Sequence, residues 1–228
     1  LHESAALACF SAGKHVLLEK PMAHSLESAE RILQASQKVT TTFMIAEQAQ
    51  YWTDVIKARE LMDAGAIGEV ISASGNFYDR VVIDPDAPPP WRYSLAISGG
   101  GVTMDGGAHW IRPLRMMMGE VDEVIGVAGR HVPRMESESW SRMLMKFENG
   151  TVGVLTCQNV MHASGPTDMF RITGSEGELQ ITGGRDGQLL LFNKEHPRGE
   201  VIMSAVEGKR NSYGEEIKDF CKVVLDGS

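Results

Sequence analysis

The chain has 228 residues, 43% hydrophobic and 23% charged, a globular composition with enough mass for one large core or two small ones. Its 22 Lys and Arg against 30 Asp and Glu give a formal net charge of −8, which argues against nucleic acid or an anionic membrane surface as partner. No stretch approaches the roughly 20 apolar residues of a membrane span, and the first residues lack the basic, apolar, small-residue order of a signal peptide, so a cytoplasmic location is expected. Cys9, Cys157 and Cys221 are far apart with no CxxC spacing. They suit neither a disulfide framework nor a zinc site and are read as buried thiols.

In chain order, Glu3 to Ala12 is Ala-rich and helix-forming, Gly13 stops it, and His15 to Leu18 is a short apolar run of buried-strand type. Ser25 followed by Glu27 and Glu30 predicts a capped helix running to about Lys38, with a strand at Thr41 to Ala46. Helix, strand, helix, strand at this spacing belongs to a parallel α/β sheet, of which the chain holds the last portion. Tyr51 to Ala64 has helical spacing, and Gly65 to Gly68 turns it into a strand at Val70 to Tyr78. Asp84 to Pro90, with four of the nine prolines, is a loop. Gly99-Gly100-Gly101 then opens a helix that ends near Gly119 and carries Met116-Met117-Met118 as core filling.

Beyond Gly119 the composition is mostly β. Strands are expected at Val121 to Val132, Trp140 to Phe147, Thr151 to Val160, Met169 to Thr173, Glu178 to Ile181, Gln188 to Phe192 and Val201 to Met203. Asn149-Gly150, Gly174 to Gly177 and Arg185-Asp186-Gly187 are their turns. Successive hairpins predict a largely antiparallel sheet with one face on helices and the other open to water or a second subunit. A last helix, Tyr213 to Leu225, is expected to bury Ile217, Phe220, Cys221 and Val224 on one stripe.

Two segments put polar residues where a core does not want them. The first apolar strand ends in Glu19-Lys20-Pro21. Ligands of open α/β sheets bind beyond the carboxyl ends of strands, so these charges either serve a site or close the strand as a surface ion pair. Pro21 holds Lys20 extended, which aims its side chain. In the second, Gly99 to His109, a continuous helix would set Asp105 and His109 at i and i+4 on one face. That is either a carboxylate orienting a histidine general base or an ordinary helix ion pair. The glycines there weaken a helix by roughly 1 kcal/mol each, tolerated where backbone must approach a ligand or another element. Asp105 and His109 are only two ligands, and none of His2, His15, His24, His131, His162 or His196 stands at metal-ligand spacing with them, so no metal site is expected.

These segments together resemble the Gfo/Idh/MocA oxidoreductases over nearly the whole chain. Glu19-Lys20-Pro21 is similar to the family's EKP motif and Phe43 to Gln48 to the strand after it. Gly65 to Val70 resembles the turn into the second domain, Trp91-Arg92 with Gly99 to His109 the substrate segment, and Phe170 to Gly174 followed by Gly177 a hairpin of the large sheet. The resemblance implies the end of a Rossmann domain over residues 1–48, then an α+β domain over 49–228 whose open sheet forms a homodimer or homotetramer. It implies NAD or NADP as cofactor and a sugar, cyclitol or related polyol as substrate.

Carried over by position, Lys20, Asp105 and His109 would be catalytic. Glu19, Lys20, Pro21, Gln48 and Arg92 would contact the cofactor, and Lys20, Arg92, Asp105 and His109 the substrate. The family often has an acid three residues after the histidine, where this chain has Arg112, and the sequence contains no GxGxxG. The phosphate-binding turn is therefore expected upstream of Leu1, with this chain alone inactive. The alternatives are a non-catalytic dimerising or ligand-binding module of the same fold, and a nicotinamide-dependent glycosidase.

Overall fold

A computed structural model describes residues 1–82, 84, 86–161, 168–183, 187–204 and 208–227, with side chains for all of these except 208–210. Two clusters of buried apolar side chains organise it. The first surrounds a two-stranded sheet. Helix α1 (His2–Ser11) leads to β1 (Val16–Glu19), α2 (Leu26–Ser36) and β2 (Phe43–Ala46). β1 and β2 are parallel, with Val16 opposite Phe43 and Glu19 opposite Ala46. Ser25 caps α2 by accepting from the Ser28 N–H at 3.3 Å, and Phe10, Val16, Leu18 and Ile32 form the core between helices and strands. Parallel strands need a crossover, and α2 supplies it.

The second cluster lies on a larger sheet. A 3-10 turn, Gln48–Tyr51, and helix α3 (Thr53–Asp63) precede the long strand β3 (Val70–Arg80). A second 3-10 turn, Trp91–Tyr93, leads to the short helices α4 (Leu95–Ser98) and α5 (Val102–Asp105) and then to α6 (Ala108–Met118). The remaining strands are β4 (Val121–Gly129), β5 (Trp140–Phe147), β6 (Val152–Val160), β7 (Asp168–Gly174), β8 (Gly177–Thr182), β9 (Gln188–Asn193) and β10 (Glu200–Ser204), followed by α7 (Gly208–Asp226). Their spatial order is β10-β9-β8-β7-β3-β6-β5-β4. Every neighbouring pair is antiparallel except β3 and β6.

Alternate side chains turn to one face. Phe147, Leu155, Phe170, Ile172, Leu179, Ile181 and Leu189 are fully buried there against Val55 and Ala58 of α3 and Leu114, Met117 and Met118 of α6. The methionines are core filling, as the composition suggested. The expected Asn149-Gly150 hairpin is present, with Gly150 at φ 83° and Asn149 Oδ1 accepting from the Thr151 N–H at 3.0 Å. No described helix is long and apolar enough to cross a membrane.

Four expectations change. The segment from Gly99 to Gly119 is not one helix, because Gly106-Gly107 separates α5 from α6. The break lies flat on the sheet, where a Cβ at Gly106 would stand 2.1 Å from the Phe77 ring. Asp105 therefore ends one helix and His109 begins another, so they share no i, i+4 face. Of the three cysteines only Cys157 is buried, whereas Cys9 is half-buried and Cys221 exposed.

Helix α7 also turns differently, exposing Ile217 and Cys221 and burying Ser212 and Glu216. Its docking is set by the 3-10 turn after β2, where the Tyr51 hydroxyl donates to Asp219 Oδ2 at 2.6 Å. The strand expected to reach Val132 stops at Gly129, where Ser139 Oγ takes over the N–H groups of His131 and Val132. Residue 85 of the expected loop, residues 185 and 186 of the expected turn, and residue 162 lie outside the described residues.

Candidate active site

Because β1 and β2 are parallel, their carboxyl ends share one edge, and the residues that follow, Lys20 and Glu47, project toward the break between α5 and α6. Between these elements lies a cavity of about 520 Å³, within the range of small-molecule sites. Lys20 and Pro21 line it from the first cluster. Phe77 and Asp79 of β3, Arg92, and Asp105, Gly106 and His109 of the helix break line it from the second.

The start of α5 is built by a neighbour distant in sequence. Glu138 Oε2 accepts from the Gly101 N–H at 2.8 Å, Oε1 from the Thr103 N–H at 3.1 Å, and its carbonyl from the Val102 N–H at 3.0 Å. These bonds satisfy the free donors that begin α5. A Cβ at Gly101 would stand 1.8 Å from that same carbonyl oxygen, so only glycine permits the approach.

Two cations meet one carboxylate at the end of α5. Lys20 Nζ donates to the Asp105 carbonyl oxygen at 2.7 Å and to Oδ1 at 3.2 Å. Arg92 Nε lies 3.1 Å from Asp105 Oδ2, with its guanidinium 4.6 Å above the Trp91 ring. Lys20 is the more enclosed of the two, at 16% side-chain exposure against 55% for Arg92. The excess positive charge sits where an oxygen gaining negative charge would be stabilised.

The carboxylate at His109 is Glu47 and not Asp105. His109 Nδ1 lies 2.6 Å from Glu47 Oε1, both side chains being largely buried, and the same oxygen accepts from the Ala49 N–H at 3.0 Å. Two other carboxyls are perturbed nearby. Burial, then the Asp105 charge, pushes Asp79 above the usual carboxylate range. Burial, then the charges of Glu19 and Glu47, pushes Glu216 up to about 7, partly offset by His109. Glu216 Oε1 is buried with no hydrogen-bond partner among the described residues.

Of the residues singled out in the sequence, Lys20, Pro21, Arg92, Asp105 and His109 line the cavity, and Glu19 and Gln48 do not. Arg112 also stands away from it and donates to Gln50 Oε1 at 2.9 Å. Sequence reasoning assigned no role to Glu47, Asp79 or Asn159. The period-two alternation that buries Ala73 and turns Phe77 inward also puts Asp79 on that face, and it is the signal that could have found it. Among the described residues no three His, Cys, Asp or Glu side chains converge as a metal site.

Comparisons with known proteins agree with this architecture. Residues 55–180 match the GFO/IDH/MocA C-terminal domain, and residues 1–47 match the oxidoreductase family with an NAD-binding Rossmann fold. Levoglucosan dehydrogenase of Pseudarthrobacter phenanthrenivorans is 26% identical over 270 residues, covering 100% of this chain and 69% of its own length. Myo-inositol 2-dehydrogenase of Thermotoga maritima is 27% identical over 240 residues, covering 99% of this chain and 67% of its own length. A solved levoglucosan dehydrogenase in complex with NADH and levoglucosan superposes with a TM-score of 0.87 at 26% identity, over 100% of this chain and 69% of that one. The first family match alone takes in more than half of the residues, and the chain belongs to the GFO/IDH/MocA oxidoreductase family.

Proposed function

We propose that this chain supplies the nicotinamide-facing edge and the substrate domain of an NAD(P)-dependent dehydrogenase acting on a hydroxyl of a sugar, cyclitol or related polyol. Residues 1–48 are the end of the dinucleotide-binding domain and 49–228 the substrate and subunit-contact domain. The observation that carries this reading is that Lys20, held by Asp105, and His109, held by Glu47, face one cavity from two separately cored parts of the chain. The names of the relatives, sugar and inositol dehydrogenases, support the substrate class.

The residues present fit the reactive end of a nicotinamide. Lys20 and Pro21 follow a parallel strand at the edge where α/β sheets take nucleotides, and both line the cavity. When bound, that ring supplies the acceptor for the hydride leaving the carbinol carbon. His109 takes the hydroxyl proton as the carbon is oxidised, and Lys20 stabilises the negative charge gathering on the oxygen. Asp105 keeps the Lys20 ammonium aimed, and Arg92 adds a second positive charge at the cavity mouth. Glu19 and Gln48, away from the cavity wall, would serve the cofactor only through its more distant parts.

The outer face of the large sheet carries a row of exposed apolar side chains, Ile125, Leu144 and Val154, directly opposite one another on β4, β5 and β6. This supports association of identical subunits through the sheet, in a dimer or tetramer, and the composition suits a cytoplasmic enzyme with no nucleic-acid or membrane partner. The test is turnover of a polyol panel by the full-length protein with each nicotinamide cofactor. His109→Ala is expected to lower kcat by roughly 10²- to 10⁴-fold with cofactor affinity nearly unchanged. Full turnover in that variant would remove His109 from the mechanism.

A further inference from the structure

We infer that Glu47 is the positioning residue of His109, holding its Nδ1 protonated so that Nε2 is the free base presented to the cavity. This rests on the proposed dehydrogenase reading and adds to it the group that prepares the base. The contact is 2.6 Å long, with side-chain exposures of 16% for His109 and 12% for Glu47, so water does not compete for it freely. An ionised carboxylate only accepts hydrogen bonds, so an imidazole nitrogen at this distance must carry the proton. Fixing one nitrogen in this way determines what the other can do.

Glu47 is also held in place independently of the histidine. It follows the last residue of β2, and its Oε1 already accepts from the Ala49 N–H at 3.0 Å. The acceptor is therefore preorganised when α6 packs against it. Asp105 does not take this place, because its carboxylate is turned to Lys20 and Arg92. The other charged or titratable groups around the pair have separate engagements. Arg112 bonds Gln50, and Tyr51 bonds Asp219. Glu19 and Glu216 lie near enough to be felt electrostatically, and burial keeps Glu216 substantially protonated near neutral pH. Among the described residues, the carboxylate hydrogen-bonded to His109 is that of Glu47.

The contrary possibility is that Glu47 serves only to cap the 3-10 turn. Glu47→Leu removes the oxygen that both Ala49 and His109 Nδ1 use, and the tautomer of His109 separates the two roles, because loss of a cap alone does not move the imidazole proton. The experiment is ¹⁵N NMR of the histidine-labelled full-length protein, with the His109 resonances assigned by their loss in His109→Ala. It is combined with kcat and KM for wild type and Glu47→Leu.

The expected result is a wild-type His109 in the Nδ1–H form, loss of that preference in Glu47→Leu, and a kcat about 10²-fold lower or more with little change in KM. A wild-type His109 in the Nε2–H form overturns the inference without need of any variant. So does a Glu47→Leu protein with unchanged tautomer and kcat. A protein that turns over no polyol but shows the Nδ1–H form and its loss in the variant would overturn the proposed reaction and leave the positioning role standing.

Discussion

Lys20 reaches Asp105 twice, its Nζ donating to the backbone carbonyl oxygen at 2.7 Å and to Oδ1 at 3.2 Å, across 85 residues of sequence. The first bond depends on where α5 ends and the second on the Asp105 side chain. Together they hold the ammonium against the cavity whichever way the carboxylate turns. The carbonyl is open to Lys20 because α5 stops at Asp105, since a helix continuing through Gly106 would engage it in its own ladder.

Lys20→Met keeps the length of the side chain and removes its charge. With both bonds lost, kcat should fall by about 10²-fold or more, as for removal of one group stabilising a developing anion. Nicotinamide affinity should weaken as well. Steady-state kinetics with cofactor titration by intrinsic fluorescence would read both. Survival of both quantities would remove Lys20 from the site.

Gly106→Ala tests whether the helix break is a packing requirement. The added Cβ would stand 2.1 Å from a ring carbon of Phe77, and that ring is itself in contact with Trp110 at a centroid distance of 4.7 Å. Neither aromatic side chain can give way cheaply. The variant should lose about 1 to 3 kcal/mol of stability in urea unfolding, the usual cost of overpacking. A variant as stable as wild type would mean that the ring has room to shift.

Glu216 makes stability depend on pH with a definite sign. Its folded value of about 7 lies above the reference 4.5, so between these values the folded protein binds the proton more strongly than the unfolded chain. Stability from this group is therefore greatest at low pH and declines as pH rises through about 4.5 to 7. Glu216→Gln should flatten that decline, raising the urea midpoint at about pH 8 relative to wild type and changing it least at about pH 5. Parallel pH profiles for the two proteins would show that Glu216 ionises normally.

The outer sheet face offers a test of association. Leu144 sits between Ile125 and Val154 in one row across three strands, and all three are exposed. Leu144→Lys should convert the expected dimer or tetramer to monomer in light scattering, because a buried unpaired ammonium at the middle of a sheet interface is costly. An unchanged assembly mass would place the subunit contact elsewhere.

Much of the fold was legible because its causes are local. Ser25 caps α2 by its own side chain, Asn149-Gly150 turns its own hairpin, and the alternation along β5 to β9 assigns each residue to a face within a few positions. Lys20 could be singled out on the same grounds, a charge at the end of an apolar run. The orientation of α7 could not. Its apolar stripe would suit burial, but docking against Tyr51 through Asp219 turns Ser212 and Glu216 inward. That choice is made by a segment more than 150 residues earlier in the chain, which no helical periodicity records.

The sequence by itself determined most of the helices and strands and the presence of Lys20, Asp105 and His109, because capping, turn chemistry and hydrophobic period act over a few residues. Only the tertiary structure decided which carboxylate serves which base. Along the chain Asp105 is the neighbour of His109, but packing of Gly106 on Phe77 breaks the helix between them and turns Asp105 toward Lys20 and Arg92. Glu47 then meets His109 from 62 residues away. Side-chain pairing of this kind follows from which backbones can approach closely in space, and that is settled only when the two cores pack together.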